Sequence, residues 1–220
     1  MDHEKKYAVF FDLDKTIITI NSGSVLVRQA YKSGLMSTGD LLSAIWQSFL
    51  YKSNLGDTNL IISRMGRWVR GLTVKSVTDL SENIVSQFLV KAIRPEIYSE
   101  ISYHKEREAD LVILSSALSS ICKPIGEYLG FNNIICTEME VTDGVLTGFP
   151  AGQFCFEKEK QIRLLDYCKK NNYDLGETWC YADSISDFPV LEVVGHPVCV
   201  VPDRRLALIA RDKGWKIYDW

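Results

Sequence analysis

The chain has 220 residues, 46% hydrophobic and 24% charged, which is long for one compact domain and short for two. One core domain carrying a sizeable insertion is the expectation. A net charge of −3 gives no reason to expect nucleic acid or an anionic membrane surface as partner, and no apolar run is long enough to span a bilayer.

The start, MDHEKKYAVFF, has acids and no apolar stretch of signal-peptide type. The six cysteines fall singly, mostly within apolar runs and without a Cys-x-x-Cys pair. Small reduced core residues in a cytoplasmic protein are expected.

The first element is a strand over residues 7–11, apolar and aromatic, running straight into Asp12-Leu13-Asp14-Lys15-Thr16. From 21 to 104 the pattern turns helical, with Leu26, Ala30, Leu41, Leu42, Ile45, Phe49, Ile61, Met65, Trp68 and Val69 as core candidates. Gly34, Gly39, Gly56 and Gly71 divide it into four or five segments. Further strands are expected at 111–114, 133–136, 178–182 and 198–201. Helices are expected at 118–129, 157–171, 188–194 and 204–213, the last stopping at Gly214. Residues 138–147, EMEVTDGVLT, alternate about Asp143-Gly144 and read as a β-hairpin. Strand alternating with helix implies an α/β, Rossmann-like doubly wound parallel sheet with an inserted α-helical segment. The core then comprises 1–19 and 107–220, and the insertion 20–106.

Four polar sets fall at the carboxyl ends of strands or the start of a helix. They are Asp12 and Asp14; Ser115 and Ser116; Lys158 or Lys160; and Asp183 with Asp187. Asp12 and Asp14, two residues apart in extended chain, are expected on one side. Alone, each set reads as a turn, a helix cap or a solvated face. Together they describe a phosphate-transfer site. Converging carboxylates call for a divalent cation, and oxygen-only ligands point to Mg2+. A lysine and a serine hydroxyl near helix N-terminal amides suit a phosphoryl group. One carboxylate can attack phosphorus while another handles the leaving-group proton.

These residues resemble the haloacid dehalogenase superfamily of phosphohydrolases, over the whole chain and in order. DLDKT is similar to its Asp-x-Asp-x-Thr motif, VILS to its second motif, EKEKQIRLL to its lysine motif and YADSISD to its acidic fourth. The helical insertion and the C-terminal tail resemble the phosphoserine-phosphatase-like subgroup, which implies that the insertion, residues 20–106, is an α-helical cap domain. The resemblance implies Asp12 as nucleophile and Asp14 as general acid/base, with Asp14 also offering its backbone carbonyl to Mg2+. It implies that Thr16 braces the loop, that Ser115 and Lys160 bind the phosphoryl group, and that Asp183 and Asp187 complete the metal-associated set. Lys160 fits the family's helix better than Lys158. The implied partner is a small phosphomonoester.

Phosphoserine phosphatases usually carry a glutamate where this chain has Asn21, and glycines in motifs two and four that it lacks. Phosphoserine is therefore disfavoured, and histidinol phosphate, other small alcohol phosphates or a lysophospholipid-type phosphate stay open. Arg64, Arg67 and Arg70 could meet a second anionic group or simply face solvent, and His104 is given no role. Ile17 and Ile18 end the resemblance to the Asp-Lys-Thr-Gly-Thr of ion pumps. No Gly-x-Gly-x-x-Gly follows the first strand, which disfavours dinucleotide binding. A non-catalytic phosphometabolite-binding protein on the same fold is the competing class. Cap joints are expected near 20–23 and 104–110.

Overall fold

The computed structural model describes residues 7–52, 66–131 and 133–220. Strands β1 (Ala8–Phe11), β2 (Asp110–Leu118), β3 (Asn133–Thr137), β6 (Trp179–Ala182), β7 (His196–Val200) and β8 (Lys216–Tyr218) form one sheet in the order β3-β2-β1-β6-β7-β8. Every neighbouring pair in it is parallel. β1 has a strand on each side and both faces covered, which is why AVFF is apolar without alternation. Its odd and even residues feed two separate cores. Val9 and Phe11 join Leu111, Ile113, Tyr181 and Val198 on one face. Ala8 and Phe10 join Val112, Leu114, Cys180 and Cys199 on the other.

The helices are α1 (Ser22–Lys32), α2 (Thr38–Lys52), α3 (Val74–Ile84), α4 (Pro95–Lys105), α5 (Ser119–Leu129), α6 (Lys158–Asn171), α7 (Phe188–Leu191) and α8 (Arg204–Asp212). α3 runs on through a π turn at Val85–Leu89 and a 3-10 turn at Val90–Ala92. The expected hairpin is β4 (Met139–Thr142) with β5 (Val145–Pro150), turned by Asp143 at φ 51° and Gly144 at φ 77°. Both central residues are left-handed, as a type I′ turn requires. All six cysteines are buried and unpaired by disulfide.

Three details depart from the sequence reading. β8 was not expected; with only Lys216, Ile217 and Tyr218, it is too short to show a period. β2 continues to Leu118 through an irregularity after Leu114, so Ser115 and Ser116 lie within the strand rather than capping α5. In the insertion Leu26, Ala30, Trp68 and Val69 are buried, but Leu42, Ile45 and Phe49 are 62%, 57% and 53% exposed. Among the described residues α2 packs on α1, which leaves that stripe uncovered by them. Ile61 and Met65 lie outside the described residues.

α4 falls within the span expected to be insertion, yet it lies on the sheet. Its Ile97, Ile101 and His104 are buried. The Tyr181 hydroxyl donates to Glu100 at 2.6 Å, so it can only accept from His104 Nε2, 2.9 Å away. Nδ1 then accepts from the Tyr7 hydroxyl at 2.9 Å. Burial, followed by the charges of Arg107 and Lys216, holds this imidazole down to about 4, hence neutral. The two chain crossings between sheet and insertion also pair with each other. Thr19 N–H donates to Ala92 O at 2.8 Å, Arg94 N–H donates to Ile17 O at 3.0 Å, and Ile18 bridges Ile93.

Candidate active site

The strand order reverses between β1 and β6, and the crevice beyond their carboxyl ends is where an open α/β sheet gathers ligands. Asp12 follows β1 directly, its N–H donating to Tyr181 O on β6 at 2.9 Å. Asp183 follows β6. Asp187 closes a 3-10 turn (Ile185–Asp187) capped by Ser184. The loop after β1 is fixed from below by Leu13, Ile17 and Ile18, all fully buried. Lys15 turns it with a φ of 62°, and Arg94 holds the Lys15 carbonyl through Nε and Nη2 at 3.3 and 3.0 Å.

Lys160 is the hub of the site. On the first turn of α6 and 3% exposed, its Nζ donates to Asp12 Oδ1 at 2.7 Å and to Asp187 Oδ1 at 2.6 Å. Lys158, two residues earlier, is exposed. Burial pulls the Lys160 ammonium down, but Asp12 and Asp187 outweigh it and hold its pKa well above the ordinary lysine value. Asp12, Asp183 and Asp187 each present an oxygen within 4.8 Å of the others, and all three are buried. Burial pushes the Asp12 carboxyl up, Lys160 pulls it back and Asp187 adds repulsion, leaving it at about 7. Asp183, with no lysine in contact, is pushed to about 8 by burial and then by Asp12 and Asp187. With all three acids ionised, one ammonium leaves two negative charges unmet. A divalent cation would meet them, and three hard carboxylate oxygens without imidazole or thiolate suit Mg2+.

The remaining expected site residues make other contacts. Ser115 is 1% exposed on β2, its Oγ accepting from Ala117 N–H at 3.2 Å. Thr16 is fully buried, and its Oγ1 has no hydrogen-bond partner among the described residues. The Asp14 carboxylate is outside the three-acid cluster. It accepts from Ser22 N–H at 2.8 Å and from Asn21 Nδ2 at 3.0 Å, both at the start of α1. Arg67 and Arg70 are exposed beside Thr147, Gly148 and Phe149 of β5; Arg64 lies outside the described residues.

Two contributors, Asp203 and Arg94, escaped the sequence reading, and a third, Asn21, was singled out there without its contact to Asp14. Asp203 caps α8 while its N–H donates to Asp183 O at 2.8 Å, and its Oδ2 accepts from Ile185 N–H at 2.7 Å. It thereby joins β7's exit loop to the acidic loop. Arg94 braces Lys15, and Asn21 reaches Asp14. Only the last had a readable signal, an Asn-Ser-Gly-Ser cap before a helical period.

Three acids and a lysine thus meet at the switch point of a parallel sheet. The haloacid dehalogenase-like hydrolase pattern matches residues 9–192, and the chain belongs to that family. It is 33% identical over 222 residues to the "Inhibition of morphological differentiation protein" of Streptomyces azureus, covering 97% of this chain and 78% of the relative. A "Probable phosphatase" of Mycobacterium tuberculosis is 30% identical over 214 residues, with 96% and 74% covered. A substrate-bound phosphoserine phosphatase structure superimposes with a TM-score of 0.74 at 16% identity, covering 99% of this chain and 95% of that one, which shows the shared fold. Among the described residues no helix is long and apolar enough to cross a membrane.

Proposed function

We propose that the protein is a Mg2+-dependent phosphomonoester hydrolase acting on a small phosphorylated metabolite through an aspartyl-phosphate on Asp12. The observation that carries this reading is Lys160 bridging Asp12 and Asp187 beside Asp183 in one buried cluster at the switch point. A Mg2+ held by Asp12, Asp183, Asp187 and the Asp14 carbonyl would neutralise the cluster and the phosphoryl oxygens. Lys160 favours the ionised Asp12 that attacks. An Asp12 oxygen bonds to phosphorus as the ester P–O bond breaks, and Asp14 gives its proton to the departing alkoxide. In the second half, Asp14 takes a proton from a water whose oxygen attacks phosphorus. Inorganic phosphate leaves, and Asp12 returns as a carboxylate. Ser115 and Lys160 bind the phosphoryl oxygens, and Thr16 braces the loop that carries both aspartates.

In this reading the helical segment that follows residue 19 is a cap over the site, and its two crossings are its joints. Because α4 lies on the sheet, we place the return joint at the paired residues 92–94 rather than at 104–110. The test is turnover of p-nitrophenyl phosphate and a panel of metabolite phosphates, including phosphoserine and histidinol phosphate, with Mg2+ and with chelator. Asp12→Asn should reduce turnover at least about 10³-fold. Absence of Mg2+-dependent turnover on every substrate would leave the phosphometabolite-binding reading in its place. Near-wild-type activity in Asp12→Asn would dismiss the nucleophile.

A further inference from the structure

Asn21 offers more than the cap of α1 needs. A helix N-cap requires only an acceptor, and serine, threonine or aspartate supply one as well as asparagine does. Here Asn21 Oδ1 accepts from both the N–H and the hydroxyl of Ser24, each at 2.8 Å. The Ser24 N–H is an obligate donor, so it fixes which end of the carboxamide is oxygen. The amide nitrogen must then face the other way, and it meets Asp14 Oδ2 at 3.0 Å. The other oxygen of that carboxylate, Oδ1, takes the N–H of Ser22 at 2.8 Å. Each oxygen is therefore held by a donor from a different residue.

That second anchor has a geometric consequence. The terminal torsion of an aspartate is broad, so a carboxylate held at one oxygen still rotates about its Cβ–Cγ bond. Held at both, its plane is fixed. Proton transfer depends on that plane, because the donor oxygen must point at the leaving oxygen as the ester bond lengthens. The rigid end of the arrangement is α1 itself, since Ser24 pins the carboxamide that pins Asp14.

We infer that Asn21 is a positioning residue for proton transfer at Asp14, its amide orienting the carboxylate toward the leaving group. This rests on the hydrolase reading above. The role concerns substrates whose leaving oxygen needs a proton. An alkyl phosphate needs one, whereas p-nitrophenolate departs largely without it.

The test compares kcat/KM for β-glycerophosphate and p-nitrophenyl phosphate, with Mg2+ present, in wild type, Asn21→Ser and Asn21→Asp. Both substitutions keep an N-cap acceptor; Asn21→Ser removes the donor to Asp14, while Asn21→Asp keeps the side-chain shape but sets a second carboxylate against it. Loss of one orienting hydrogen bond should lower kcat/KM on the alkyl substrate about tenfold more than on the aryl one. The thermal midpoints, which a purely capping role would control, should stay within about 2 °C of wild type for Asn21→Ser. An alkyl-to-aryl ratio equal to wild type in both variants would overturn the inference while leaving the hydrolase reading intact. So would an equal loss on both substrates that follows a fallen midpoint. If wild type turns over neither substrate, the hydrolase reading and this inference fall together.

Discussion

Replacing Asp183 by asparagine should stabilise the metal-free protein at pH 8. Asp183 is 7% exposed, its carboxyl lies at about 8, and burial and then the charges of Asp12 and Asp187 are the cause. In the unfolded chain it returns to about 3.8. Between those values the folded state binds the extra proton, so stability falls as pH rises through about 4 to 8. Four pH units at about 1.4 kcal/mol each give a ceiling of about 6 kcal/mol. The repulsion from Asp12 is mutual and is relieved by protonating either acid, and the asparagine amide still needs partners. The expected gain is therefore about 2–3 kcal/mol. For a chain of this length that raises the thermal midpoint about 5–10 °C in chelator at pH 8. At pH 5, only about one unit above the unfolded value, the gain should shrink to under about 1 kcal/mol. Excess Mg2+ should stabilise wild type more than the variant. A midpoint below wild type in chelator at pH 8 would refute the reasoning. So would a gain of equal size at pH 5, or equal stabilisation of both proteins by Mg2+.

Lys160→Met keeps the buried stem but strips Asp12 and Asp187 of their shared ammonium. It should cost about 3 kcal/mol or more in chelator, read from urea unfolding, and at least about 10²-fold in turnover. His104 contributes in the opposite pH direction from Asp183. Its folded value of about 4 is below the unfolded 6.5, so its stabilisation is complete above about 6.5 and is lost as pH falls to about 4. The stability advantage of wild type over His104→Gln should shrink by about 2 kcal/mol between pH 7 and 4 in paired urea titrations. Gly195→Ala would put a Cβ 1.8 Å from the Gly176 carbonyl oxygen, a backbone atom that cannot rotate away. It should cost more than about 3 kcal/mol. Gly126→Ala, whose tightest neighbour is the mobile Ile134 Cδ1, should cost about 1–2 kcal/mol in the same assay.

The sheet was legible because parallel strands buried on both faces leave apolar runs, as β1, β6, residues 111–114 of β2 and the end of β7 do. The hairpin was legible because Asp143-Gly144 is a turn with a mechanism. The insertion was legible in type but not in packing. A helical period marks an apolar stripe without saying what covers it, and Leu42, Ile45 and Phe49 have no cover among the described residues. α4 shows the same limit from the other side. Its pattern matches that of the insertion helices, yet it is held to the sheet by His104, Glu100 and two tyrosines at positions 7 and 181, far away in sequence.

Why the two motif aspartates part company is the sharpest case. Alternation along a strand puts residues 12 and 14 on one side, and sequence alone therefore sends both carboxylates to the same place. β1, however, ends at Phe11, and the loop beyond it obeys different constraints. Asp12 is caught by Lys160 within a cluster that lacks two positive charges. Asp14 is reached by donors on both its oxygens from the start of α1. One acid is placed by an ammonium and the other by an amide and a backbone N–H. A nucleophile must stay ionised beside other acids, which takes a full charge. A proton carrier must pass through both ionisation states, and neutral donors orient it without binding it as strongly to one of them. Under the proposed mechanism the division of labour would lie in the kind of partner each aspartate has, which a motif of alternating acids does not reveal.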